Sequence, residues 1–131
     1  MIISSCVGPK PNSLSCLSFN QAKEFEDEAM SLGMDVLLET HNLAEIEIAN
    51  KLRSPLVGIN NRNLKTMEVN IQNSIKLINH LDNDKLPISE SGISKKEDLL
   101  LLKSKGFKHF LIGEAFMRDS DITKIFKEII N

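Results

Sequence analysis

The sequence predicts an α/β fold: a (βα)4 half of a TIM (β/α)8 barrel, with parallel strands and one helix in front. Three observations predict it. Short apolar runs alternate with stretches of helical periodicity at the spacing of βα units joined by right-handed crossovers. Polar and acidic residues arrive together wherever an apolar run stops. An internal echo completes the case: Gly33-Met34-Asp35-Val36-Leu37-Leu38 and Gly106-Phe107-Lys108-His109-Phe110-Leu111 both follow a helix and enter a strand at the glycine.

The elements follow in order. Residues 1–19 read as an irregular leader, expected to be mobile, because Pro9, Lys10, Pro11 and Asn12 interrupt any apolar run. The domain spans residues 20–131. Asn20 is the expected N-cap of a helix whose apolar face carries Ala22, Phe25 and Ala29, closed by Gly33. Met34–Leu38 form a strand ending in Glu39, Thr40 and His41. Asn42 and Glu45 have capping-box spacing, and Leu43, Ile46 and Ala49 carry the next helix to about Leu52. Pro55 stops it, and Leu56-Val57-Gly58-Ile59 follow as a buried strand.

That strand delivers Asn60, Asn61, Arg62 and Asn63 at once. Ile71, Ile75 and Ile78 then mark a third helix, with Leu77 and Leu81 widening its face. Leu86 to Ile88 form a strand ending in Ser89-Glu90-Ser91-Gly92. Ser94 and Glu97 are spaced as a capping box for a helix through Lys103, closed by Gly106. Phe107 to Ile112 form the last strand, ending in Gly113-Glu114. An amphipathic helix using Ile122, Ile125, Phe126 and Ile129 completes the chain.

Composition narrows the function classes. The 131 residues are 41% apolar and 26% charged, values of a globular domain that can bury a core. A net charge of −2 gives no electrostatic argument for nucleic acid or for an anionic membrane. The longest apolar run, Leu99 to Leu102, is far short of the ~20 residues that span a bilayer. Cys6 and Cys16 have no partners at metal-ligand spacing, so neither a metal site nor a disulfide framework is expected, and a cytoplasmic setting fits.

Every candidate site residue falls at the C-terminal end of a strand: Glu39 on the first, Asn60 and Arg62 on the second, Glu90 and Ser91 on the third, Gly113 and Glu114 on the fourth. In a barrel these ends converge on one mouth, where its enzymes keep their sites. Singly, each has an ordinary reading as a solvated loop residue. Gly92 and Gly113 open two βα loops where a backbone without Cβ lets N–H groups approach an anion, which suggests phosphate; a tight turn is the alternative. His41 reads as a loop residue, and His80 and His109 as structural or exposed.

The blocks Leu37-Leu38-Glu39, Gly58-Ile59-Asn60-Asn61-Arg62-Asn63-Leu64, Ser89-Glu90-Ser91-Gly92-Ile93 and Ile112-Gly113-Glu114-Ala115-Phe116-Met117-Arg118 together resemble the C-terminal half of indole-3-glycerol phosphate synthases, from about Asn20 to the end of the chain. The resemblance implies a carboxy-lyase of tryptophan biosynthesis that needs no cofactor or metal. It closes, decarboxylates and dehydrates 1-(2-carboxyphenylamino)-1-deoxyribulose 5-phosphate. It also implies roles. Glu39 is an acid/base carboxylate, Asn60 a substrate-orienting amide, and Arg62 a support for the anthranilate carboxylate. Glu90 and Ser91 face the ribulose hydroxyls, while Gly92, Gly113 and the Glu114 backbone cradle phosphate. Glu114 stands where the family often has Ser.

The family's Glu and Lys of its first strand and Lys of its third have no equivalent here. Activity is therefore expected to be weak or absent without a complementing N-terminal half or self-association. A non-catalytic phosphate-binding module and another phosphate-binding barrel enzyme, such as phosphoribosylanthranilate isomerase, are the alternatives; the Gly58–Leu64 block disfavours the isomerase.

Overall fold

In a computed structural model that describes residues 1–4, 17–117 and 121–130, five parallel strands lie side by side in sequence order. They are β1 (Ile2–Ser4), β2 (Leu37–Thr40), β3 (Leu56–Asn60), β4 (Leu86–Glu90) and β5 (His109–Leu111). Helices α1 (Phe19–Ser31), α2 (Leu43–Lys51), α3 (Gln72–Leu77), α4 (Lys96–Ser104), α5 (Glu114–Met117) and α6 (Ile122–Ile130) occupy the connections and the C-terminus, and a 3₁₀ turn, Ile78–His80, extends α3. The expected parallel α/β arrangement holds, but with five strands rather than four.

The additional strand falls in the expected leader. Ile2, Ile3 and Ser4 pair with Leu37, Leu38 and Glu39, and the N-terminal ammonium donates to Asp35 O at 2.6 Å. A β-branched pair beside an unpaired strand edge is enough to extend the sheet. The rest of the leader that is not described, with Cys6 and Cys16, lies outside the described residues, as does Arg118.

Other element limits move for identifiable reasons. α1 starts at Phe19 because Ser18, not Asn20, caps it: Ser18 Oγ accepts from Gln21 N at 3.3 Å and Gln21 Oε1 accepts from Ser18 N at 2.9 Å. On that helix Ala22 and Ala29 are buried as expected, yet Phe25 is half exposed and Glu26 takes its place inside. The Glu26 carboxylate accepts from Arg53 N (2.9 Å) and Ser54 N (2.7 Å), so the buried charge has donors. Lys85 grips the same turn from the other side, donating Nζ to Leu52 O (2.6 Å) and Ser54 O (3.0 Å). Asp98 rather than Glu97 serves the start of α4, accepting from Ser94 N and Lys95 N.

Alternation along the strands sorts side chains into two layers. Leu38, Val57 and Ile59 face the helices and join Ile46, Ala49, Leu102 and Phe107 in the core. Leu37 and Glu39, then Leu56, Gly58 and Asn60, then Leu86, Ile88 and Glu90 share the opposite face, the one a barrel would enclose. On this face Leu86, and Leu111 opposite Glu90, are each 44% exposed, while Leu37, Leu56 and Ile88 are partly buried. With β1 beside β2, the edges of the described sheet are β1 and β5.

Candidate functional site

The C-terminal ends of β2, β3 and β4 place three polar side chains in register on the inner face. Glu39 pairs across to Gly58, and Asn60 to Glu90. Asn60 Nδ2 donates to Glu39 Oε1 at 2.9 Å, while Asn60 Oδ1 accepts from Arg62 N at 2.9 Å and fixes the turn out of β3.

Glu90 is 5% exposed and lies directly over Gly58: a Cβ there would sit 1.8 Å from Glu90 Oε1. A glycine in the middle of a buried strand is explained by this close approach. Oε1 has no hydrogen-bond partner among the described residues. Burial, reinforced by the charge of Glu39 and opposed by His41, pushes the Glu90 carboxyl up to about 7.

Glu39 is driven the other way. The His41 ring holds it below the usual carboxylate range, with help from Asn60 and against burial. Nε2 of His41 lies 3.2 Å from Glu39 Oε1, and Nδ1 lies 3.2 Å from Oε2 of Glu45. The Nε2 approach is an ion-pair contact without hydrogen-bond alignment. Between Glu39 and Glu45 the imidazole is pushed up to about 9, burial notwithstanding. Two carboxyls with pKa values driven apart in one mouth are the arrangement that lets one act as base and the other as acid.

His41 was read from sequence as a loop residue. The signal that could have found it is Asn42 and Glu45, three apart at the start of α2. Asn42 Oδ1 caps Glu45 N at 3.1 Å, but the Glu45 carboxylate turns to Asn42 Nδ2 (2.8 Å) and to the backbone N of His41 (2.6 Å).

A second group of residues forms the loops beside this trio. Residues 61–70 make a small hairpin, closed by an antiparallel bridge between Arg62 and Val69 and by Asn70 N donating to Asn61 O at 2.9 Å. Asn61, almost fully buried, ties that hairpin to the loop after β4: its Nδ2 donates to Ser89 Oγ (3.1 Å) and Ser91 O (3.0 Å), and its Oδ1 accepts from Ser74 N (3.0 Å). Its role is internal bracing, which sequence reasoning did not separate from its neighbours.

The braced Ser91 and Gly92 both adopt left-handed backbone, φ 63° and 78°. At Gly92 a Cβ would also come within 2.4 Å of Val69 Cγ1. Packing under the hairpin as well as backbone conformation demands glycine here, a reason that the expectation of anion approach did not include. Gly113 has open space where a Cβ would be. Ser91, Gly92, Gly113 and Glu114 line one pocket of about 160 Å³ with Arg62, Ile93 and Leu111. Across it, the Arg62 guanidinium is paired with the Glu114 carboxylate.

All eight sequence-predicted residues thus lie on one side of the sheet's C-terminal end, divided between the Glu39–Asn60–Glu90 trio and the pocket, with Arg62 reaching from one to the other. Among the described residues no cluster of His, Cys, Asp or Glu has a metal-holding arrangement. No described helix is long and apolar enough to cross a membrane.

The family model for indole-3-glycerol phosphate synthase matches residues 14–129. The chain is 50% identical over 104 residues to indole-3-glycerol phosphate synthase of Variovorax paradoxus, covering 79% of this chain and 39% of that protein. It is 50% identical over 105 residues to the Polynucleobacter necessarius enzyme of the same name, covering 80% and 39%. The chain therefore spans about two-fifths of the length of these relatives. Solved structures share the fold at low identity. Mandelate oxidase superposes with a TM-score of 0.67 at 14% identity, over 88% of this chain and 37% of that one. A chain of the tryptophan synthase α2β2 complex of Pyrococcus furiosus gives 0.63 at 14%, over 86% and 48%.

Proposed function

The chain belongs to the indole-3-glycerol phosphate synthase family, and from that premise we propose that it forms the phosphate-binding and acid–base side of that enzyme's site. The observation that carries the reading is the Glu39–Asn60–Glu90 trio on one inner face, beside a pocket opened by two βα loops. The substrate is 1-(2-carboxyphenylamino)-1-deoxyribulose 5-phosphate. Ring closure joins the aryl carbon bearing the carboxylate to the ketone carbon; carbon dioxide leaves, and loss of water then completes the indole.

Backbone N–H groups after β4 and β5, at Gly92, Gly113 and Glu114, hold the phosphate. Ser91 meets a ribulose hydroxyl. Arg62 meets the substrate carboxylate, which must draw the guanidinium from Glu114. Asn60 orients the substrate, Glu39 takes the proton released as the ring aromatises, and Glu90, whose carboxyl is raised to about 7 and so stays partly protonated at neutral pH, protonates the departing hydroxyl. The acid at the ketone oxygen is a lysine that the resemblance assigns to an earlier strand of the barrel.

The open inner face and the edges at β1 and β5 support association with a complementing polypeptide. Five strands and three more close an eight-stranded barrel, whereas two copies would bring ten. The proposed setting is cytoplasmic. The test is indole formation, followed by fluorescence, with the chain alone and mixed with a separately expressed N-terminal remainder of the family barrel. Negligible turnover alone and measurable turnover in the mixture are expected. Rapid turnover by the chain alone would overturn the division of labour.

A further inference from the structure

His41 carries no assigned role, yet it is held more firmly than a loop residue needs to be. Its backbone N donates to Glu45 Oε2 at 2.6 Å, and its backbone O accepts from Asn73 Nδ2 at 3.1 Å. The ring is hydrogen-bonded at Nδ1 to Glu45 and lies in ion-pair contact with Glu39 at Nε2. Glu45 is itself 3% exposed and anchored by Asn42, so the fixed point of the assembly is the first turn of α2.

The two contacts to Glu39, from Asn60 Nδ2 and from the imidazole Nε2, fall on the same oxygen, Oε1. We infer that His41 is a positioning residue of this site: anchored on Glu45, its ring holds the Glu39 carboxylate by Oε1 and reserves Oε2 for a substrate proton. The inference rests on the proposed acid–base role of Glu39 and adds to it the part that orients that group.

Chemistry supports the assignment independently of sequence. A neutral imidazole has one N–H and one lone pair, so in this position it would turn a lone pair toward one of the two carboxylates. With a carboxylate oxygen 3.2 Å from each nitrogen, the surroundings favour the ring with both nitrogens protonated. The charged groups that face it are Glu39 from β2 and Glu45 from α2, with Glu90 from β4 near enough to feel its charge; α3 contributes the neutral Asn73. The imidazolium favours the ionised form of Glu39, whereas burial and the Glu39 charge keep the Glu90 carboxyl raised against the pull of the same imidazolium.

The test begins with the chain as it stands, without substrate, carrying 13C-labelled glutamate carboxyls and titrated by NMR. His41→Gln keeps an amide donor and removes the charge, so the Glu39 midpoint should rise. Glu45→Gln removes the anchor; the His41 midpoint should fall from about 9 toward 6.5 and Glu39 should rise with it. A Glu39 midpoint unmoved in folded His41→Gln or Glu45→Gln protein would overturn the inference.

A second arm uses the complemented enzyme. There His41→Gln should lower kcat on the order of 10²-fold with little change in KM, the mark of lost orientation rather than lost binding. A rise in KM alone would count against the role. Should the complemented wild-type protein make no indole, the functional reading fails, and the titration still decides what His41 does.

Discussion

Replacing Gly58 by alanine tests the arrangement of the mouth with one methyl group. The new Cβ would lie 1.8 Å from Glu90 Oε1, 2.7 Å from Glu90 Cδ and 3.4 Å from Leu37 Cδ1. The near atoms belong to the end of a flexible side chain, so the carboxyl swings out toward water and the strand stays in place. In the unaltered protein Glu90 titrates near 7 against an ordinary 4.5. Below pH 4.5 the carboxyl is neutral whether the chain is folded or not, and burying it costs least. Between 4.5 and 7 the unfolded chain loses that proton while the folded chain keeps it, and stability falls. Above 7 the penalty levels off, on the order of 3 kcal/mol at about 1.4 kcal/mol per pH unit.

Gly58→Ala loses close packing, which typically costs ~1–3 kcal/mol, but it escapes that penalty. The variant should therefore be clearly less stable than the parent at pH 4.5 and nearly equal to it at pH 8. Urea unfolding of both proteins, followed by circular dichroism at the two pH values, reads the difference directly. His41 titrates in both proteins and largely cancels. A stability gap of the same size at both pH values would refute the account of why glycine occupies this strand.

Gly92→Ala must accept a left-handed backbone and a clash with Val69, so it should unfold more readily by ~1–3 kcal/mol, whereas Gly113→Ala should leave the urea midpoint unchanged. Phosphate titration by NMR should show binding weakened in both if the two loops form one anion site. Asn61→Leu strands Ser74 N and Ser91 O and leaves Ser89 Oγ with Ser74 Oγ as its partner, and a loss of ~2–4 kcal/mol in chemical unfolding is expected, with amide shifts reaching both loops. At the other end of the sheet, Glu26→Ala should cost a similar amount by exposing Arg53 N and Ser54 N to an empty buried space, without altering phosphate shifts at residues 91–114. Because the His41 midpoint is raised to about 9, its stabilising contribution is complete below pH 6.5 and lost as pH climbs through 9; His41→Gln should flatten that part of the stability profile.

Periodicity and punctuation located most of the fold. The strand read as Leu56–Ile59 is observed as Leu56–Asn60, one residue longer, because Pro55 and the amide cluster bound it closely on both sides. The strand from Leu37 was placed three residues early, since Met34 and Val36 have the right chemistry but the ladder begins only where Met1 O and then β1 supply partners. β1 itself was missed because three residues before a proline-containing stretch carry too little pattern to outweigh their surroundings.

Burial on α1 was misassigned at one position. Phe25 is the greasier residue, but Glu26 is inside because it has backbone donors to satisfy across 27 residues of sequence, and no local pattern announces that. In the site, the identity of the strand-end residues was legible, whereas their division of labour was not. Whether an asparagine faces a ligand or braces a loop depends on the single residue of register that separates Asn60 from Asn61. His41 became visible only when the helix after it supplied an anchor.

Strand order equals sequence order across the sheet, and every pairing is between a strand and the next along the chain. Each partner is therefore found after closing a loop of one βα unit, never a longer one, so the entropy of assembling the sheet grows unit by unit. Such a sheet can lengthen or be divided between units while breaking only the pairing at the boundary. The same locality would let a chain of this kind acquire most of its secondary structure during synthesis, as each unit emerges behind the last. It also makes whole βα units natural pieces for exchange between genes, because a transplanted unit keeps its own helix and needs to find only the strand on either side.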